Sequence, residues 1–130
     1  MIFDTNVYLD LCFDPKEKLI QLASENTLVA PNFLKLEIIN VLRKYHFLKA
    51  IPMEILEKYE KFTFDLVDVF VPDFELLDVA KRFSYHLNHP IYDCIFLALA
   101  DETKDTFCSY DQKLLKKAES IGIKTIGFSN

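Results

Sequence analysis

The sequence predicts an α/β fold in which a parallel sheet is covered by helices on both faces, and three observations predict it. Short apolar runs at period two alternate with longer runs at the helical period along the whole chain. Each strand-like run is nearly continuous in its hydrophobicity, as in strands buried on both sides. No internal repeat, low-complexity tract or linker interrupts the alternation, and the 130 residues amount to one domain's worth of chain, 1–130, able to bury about two thirds of its unfolded surface.

Taken in order, residues 1–3 form a first strand, followed at once by Asp4. A helical pattern starting at Pro15 covers 15–24, and a second strand covers 27–30. Residues 32–49 form a long amphipathic helix with Leu34, Ile38, Val41, Leu42, Tyr45 and Leu48 as its apolar stripe. Residues 53–64 carry an aromatic-rich stripe of Ile55, Leu56, Tyr59 and Phe62, with Phe64 beyond, on an acidic helix. The third strand, 66–71, gives way to a helix over 73–87. The helix 90–103 is apolar on every side over 91–100 except at Asp93, which makes it a central, buried element. A fourth strand, 106–109, leads to Asp111, a good N-cap for a helix over 112–121, and 124–128 supply the fifth strand. Pro31, Pro52, Pro72 and Pro90 stand at or near first helical turns, where a missing N–H costs nothing.

Composition excludes several classes. With 51% hydrophobic and 14% aromatic residues the chain is no disordered tail, and two glycines leave little room for a glycine-rich phosphate loop. No apolar run approaches the roughly 18 residues that span a bilayer, and the first four residues lack a basic leader, so a cytoplasmic protein that no membrane holds is expected. Cys12, Cys94 and Cys108 are odd in number and lack metal or redox spacing, which reads as buried thiols in a reducing compartment. His86 and His89 are three apart with no Cys or third His beside them, and a cap or surface role is expected for them. The net charge of −5 argues at first against nucleic acid. Residues 54–78, however, hold eight acids against two bases, a local −6 that leaves +1 for everything else. If four remaining acids are neutralised by bound metal, the rest of the surface is modestly basic.

Four carboxylates stand apart from the twenty acids. Asp4 ends the first strand, Asp111 follows the fourth, Glu37 sits at the margin of the apolar stripe, and Asp93 starts the buried helix. The carboxyl ends of strands in an open parallel sheet form the crevice where ligands bind. Carboxylates converging there repel one another and either take up protons or bind a cation. A hard divalent ion, Mg2+ or Mn2+, suits all-oxygen surroundings, and such ions assist phosphodiester cleavage. Each acid also has a plainer role: Asp4 and Asp111 as helix caps, Asp93 facing a helix dipole, Glu37 as ordinary surface.

Together these residues resemble a family. Asp4-Thr5-Asn6 after a short strand, Glu37-Ile38-Ile39-Asn40-Val41-Leu42 on a long helix, Tyr92-Asp93 opening a hydrophobic helix, and Ser109-Tyr110-Asp111 before Lys113-Leu114 are similar to the PIN domain, specifically its VapC-type toxin ribonucleases. The resemblance implies a three-layer α/β/α sandwich on a five-stranded parallel sheet and an Mg2+- or Mn2+-dependent endoribonuclease acting on RNA. It further implies a cognate antitoxin and a homodimer. Asp4, Glu37, Asp93 and Asp111 match the family's metal-binding positions, and Asn6 and Ser109 its supporting ones, with Thr5 placed to help. Arg43, Lys44, Lys113, Lys116 and Lys117 are candidates for phosphate contacts. One departure is the minimal first strand.

Three other readings compete. A non-catalytic PIN-like scaffold would use the acids only as caps. A haloacid-dehalogenase-type phosphatase needs an Asp where this chain has Asn6, and a phosphotransfer receiver needs an early acid pair that is absent. A peptide-binding module would use the aromatic stripe.

Overall fold

The computed structural model describes residues 1–129. Five strands and seven helices alternate among them: β1 (Ile2–Phe3), α1 (Thr5–Phe13), α2 (Glu17–Glu25), β2 (Val29–Pro31), α3 (Phe33–Lys49), α4 (Met53–Leu66), β3 (Val69–Val71), α5 (Asp73–Leu87), α6 (Ile91–Thr103), β4 (Phe107–Ser109), α7 (Gln112–Ser120) and β5 (Thr125–Gly127). Every strand pairing is parallel, in registers set by Phe3 against Cys108, Cys108 against Ile126, and Ala30 against Phe70.

The five-stranded sheet expected from the sequence needs correction. The strands form a three-stranded sheet, β1-β4-β5, and a two-stranded one, β2-β3. They lie side by side, joined by hydrogen bonds from Val29 N–H to the Met1 carbonyl at 3.1 Å and from the Met1 amino group to the Thr27 carbonyl at 2.7 Å. The cause is the brevity of β1: Asp4 caps α1 directly after Phe3, and the edge of β1 that faces β2 offers too few backbone groups to continue the ladder. Helix α1 is itself an addition, because the sequence reading places no helix before residue 15. Val7, Tyr8, Leu9 and Leu11 are all buried, and only Asn6 and Asp10 interrupt them with polar side chains, a stripe too narrow to display a helical period. Pro31 lies in β2, paired with Val71, directly ahead of Asn32, the N-cap of α3.

Helix α6 is the central element, with Cys94 to Ala100 buried without exception beneath β1, β2 and β4. Helix α5 packs along it, while α1 lies on β1 and β4 and carries α2, α3 and α4 behind it. Phe3, Phe96, Phe107 and Leu97, all fully buried, fill the space between. Helices α3, α5 and α6 end on left-handed residues other than glycine, Ala50 (φ 53°), Asn88 (φ 50°) and Lys104 (φ 55°). Cys94 and Cys108 are buried and Cys12 half-buried, all as free thiols. Among the described residues no helix is long and apolar enough to cross a membrane.

Candidate active site

Chain order reverses between β1, flanked on its other side by β2, and β4, so the crevice at their carboxyl ends is the switch point of the sheet. Buried polar side chains are few, and Asp4, Thr5 and Ser109 lie together in this crevice. Apolar cores do not retain such groups without partners, and here each has one. Ser109 Oγ donates to Asp4 Oδ2 at 2.7 Å, and Thr5 N–H donates to Asp4 Oδ1 at 2.9 Å. Thr5 Oγ1 donates to Glu37 Oε1 at 2.6 Å, and Ser109 Oγ accepts from Asp111 N–H at 2.9 Å. Thr5 therefore ties Asp4, through its N–H, to Glu37 on α3, through its hydroxyl, and the Ser109 hydroxyl ties Asp4 to the backbone of Asp111 at the head of α7.

Charge couples all four acids. Burial pushes the Asp4 carboxyl up to about 6, and the negative charges of Asp93 and Asp111 add to the rise against the hydrogen bonds from Ser109 and Thr5. Burial also raises Glu37, with Asp4 and Asp93 adding to it and the Thr5 bond opposing. Asp4 and Asp111 serve as N-caps as well, Asp111 Oδ1 accepting from Leu114 N–H at 3.1 Å. Among the described residues no three Asp, Glu, His or Cys side chains close into a coordination cage. Mg2+ and Mn2+ do not require one, since they retain waters and take one or two direct carboxylates. A buried carboxylate disfavoured in its charged form and coupled by charge to three others offers the oxygen donors that such an ion takes.

Asp93 has a partner that the sequence reading did not assign. His89 Nε2 lies 2.7 Å from Asp93 Oδ2, and Lys117 Nζ lies 3.0 Å from His89 Nδ1. An ammonium can only donate, so Nδ1 accepts and the ring proton sits on Nε2, facing the carboxylate. His89 is thus no surface residue; its side chain is 11% exposed. The signal in the sequence was the spacing of one helical turn, His89 to Asp93. His86 stays exposed in the last turn of α5.

The remaining candidates scatter. Asn6 is exposed at the start of α1. Lys113 and Lys116 are exposed on α7, and Lys117 is occupied by His89 and the Asn88 carbonyl. Arg43 lies over the Phe47 ring at 5.4 Å and lines the groove between α3 and α4, and Lys44 is exposed beside it.

The PIN domain family model matches residues 1–120. No curated protein matches the chain. Among solved structures, PAE2754 from Pyrobaculum aerophilum is similar with a TM-score of 0.74 at 18% identity, covering 95% of this chain and 81% of its own. A toxin-antitoxin complex from Klebsiella pneumoniae follows at TM-score 0.72 and 16% identity, covering 99% and 98% of the two chains. VapBC2 from Rickettsia felis, bound to a DNA fragment from its promoter, gives 0.71 at 12% identity over 99% and 100%. At such identities the likeness speaks for the fold alone, while the family model covers nearly the whole chain and carries the assignment: this chain belongs to the PIN domain family.

Proposed function

We propose that the protein is a metal-dependent endoribonuclease, the toxin of a type II toxin-antitoxin pair, acting in the cytoplasm on RNA. The observation that carries this reading is the buried Asp4, charge-coupled to Asp93 and Asp111 and tied through Thr5 to Glu37, at the switch point of a PIN fold. Asp4 and Asp93 would hold Mg2+ or Mn2+, with Glu37 and Asp111 directly or through water. When bound, the ion supplies Lewis-acid polarisation of the scissile phosphate and a lowered pKa for water. The chain's own groups do the rest: Ser109 and Thr5 fix the Asp4 and Glu37 carboxylates, His89 fixes Asp93, and Lys113 and Lys116 offer charge to the flanking phosphates. Neighbours described as toxin-antitoxin complexes support a protein antitoxin as partner, and a homodimer is part of the same proposal.

The test is cleavage of a labelled RNA under titration with Mn2+ or Mg2+. Wild type is expected to cut only with the ion, and Asp4→Asn and Asp93→Asn to lose cleavage while keeping the wild-type circular dichroism spectrum. Native-rate cutting by either variant would remove that residue from the ion site. The scaffold reading draws on the capping bonds of Asp4 and Asp111. It requires that no divalent ion change the melting temperature.

A further inference from the structure

Beside the acids lies an open groove of about 490 Å³ lined by Glu37 and Asp93 together with Phe33, Asn40 and Tyr92. Tyr92 immediately precedes Asp93 on α6, and its side chain is 58% exposed. It contributes little to the core at that exposure, and its hydroxyl engages no protein group in any hydrogen bond among the described residues. Yet the ring is held in place: it stacks on Phe33 with centroids 5.4 Å apart and planes 17° from parallel. Phe33 is itself fixed, because Asp73 Oδ1 accepts from its backbone N–H at 2.8 Å and clamps the start of α3. Two elements thus present a parallel ring pair at the edge of the acid crevice, with one face of Tyr92 covered by Phe33 and more than half of the residue open to solvent.

We infer that Tyr92, backed by Phe33, is a stacking platform for an unpaired nucleobase next to the phosphate that the acids address. The inference rests on the ribonuclease reading above and adds to it the residues that position a base. A base in a duplex has both faces occupied by its neighbours, whereas an unpaired base offers one to an aromatic ring, and such stacking tolerates any base identity. The distance along the chain suits the role. Asp93 and Tyr92 are consecutive and Glu37 lies one helical turn beyond Phe33, so a nucleotide whose phosphate meets the acids has its base within reach of the rings. Asn40, three residues past Glu37 on α3, lines the same groove and brings an amide that can pair with a base edge. A peptide side chain is the competing occupant, but the groove offers a peptide no free sheet edge and only carboxylates for charge.

The experiment measures kcat/KM with Mn2+ on a single-stranded RNA, its duplex, and versions carrying one abasic site at each position around the mapped cut. Wild type, Tyr92→Phe and Tyr92→Ala are compared, with Mn2+ affinity by calorimetry as the check that Asp93 is undisturbed. Tyr92→Ala is expected to lose about 5- to 150-fold on the intact single strand, the equivalent of about 1–3 kcal/mol per stacked base, and Tyr92→Phe to stay within about twofold. At one abasic position wild type is expected to fall to the level of Tyr92→Ala, which loses nothing further there. Equal rates for wild type and Tyr92→Ala, or equal cutting of duplex and single strand, would overturn the stacking platform and leave the ribonuclease reading standing. Loss of an antitoxin's inhibition with unchanged RNA kinetics would assign the rings to a protein and overturn it too. Wild type that cuts no RNA would instead sink the ribonuclease reading itself, and the platform with it.

Discussion

Replacing Asp4 by Asn should make the metal-free protein more stable, although Asp4 is the centre of the proposed site. Burial holds the Asp4 carboxyl at about 6 against an ordinary 3.8. At 8% exposure solvent does little to soften this, and two units of pKa correspond to about 3 kcal/mol. The native state binds the proton more tightly than the unfolded chain. Stability from this group is therefore complete below about pH 4 and lost as pH rises through about 6. The Asn side chain keeps the cap on α1 and never ionises, but its amide nitrogen facing Ser109 leaves the Ser109 hydroxyl proton without its acceptor, at about 1 kcal/mol. The net gain for Asp4→Asn at about pH 8 is about 2 kcal/mol, or about 5–10 °C in melting temperature for a chain of this size. Thermal unfolding followed by circular dichroism in chelator, from about pH 4 to about pH 8, reads it directly. The gap should open with rising pH and close when Mn2+ is added, because the ion stabilises wild type only. A gap independent of pH, or wild type the more stable at about pH 8, would refute the argument from burial.

Other consequences are equally direct. His89→Ala is expected to weaken Mn2+ binding by about 10- to 100-fold in calorimetry, since Asp93 loses the donor that orients it. An unchanged affinity would make the His89 bond a matter of packing only. Ser109→Ala strips a buried carboxylate oxygen of its donor, and urea unfolding should show a loss of about 1–3 kcal/mol at neutral pH. Phe96→Ala, in the fully buried stretch of α6, should cost about 3–5 kcal/mol with an unchanged denaturant slope.

The legible part of the fold was the part with a period. Helices α3, α4, α5 and α7 follow from stripes on one face, the fully apolar α6 from having none, and Pro52, Pro72 and Pro90 mark the starts of α4, α5 and α6. Helix α1 hides because it too is wrapped on nearly every side, yet it is short and stands beside a strand that is no less apolar. The break between the two sheets depends on Asp4 serving both as strand end and helix cap, a competition for one residue that no spacing rule displays. In the site, the four acids were visible as positions, but the hydroxyl bridges of Thr5 and Ser109 and the reach of Lys117 to His89 join residues far apart in sequence. Those links exist only once the chain is folded. The same holds for the Phe33–Tyr92 pair, whose members look like two more core aromatics until one of them is found outside.

The left-handed Asn88 has an effect beyond ending α5. By reversing the chain's course one residue ahead of His89, it swings the imidazole back towards α6, and its carbonyl receives the same Lys117 ammonium that fixes the ring. Asparagine tolerates this torsion better than most residues, while a β-branched one pays about 1–2 kcal/mol for it. A valine there would touch none of the four acids, yet by unhinging the imidazole that meets Asp93 it would, on the proposed reading, behave in a genetic screen like a loss of Asp93 itself.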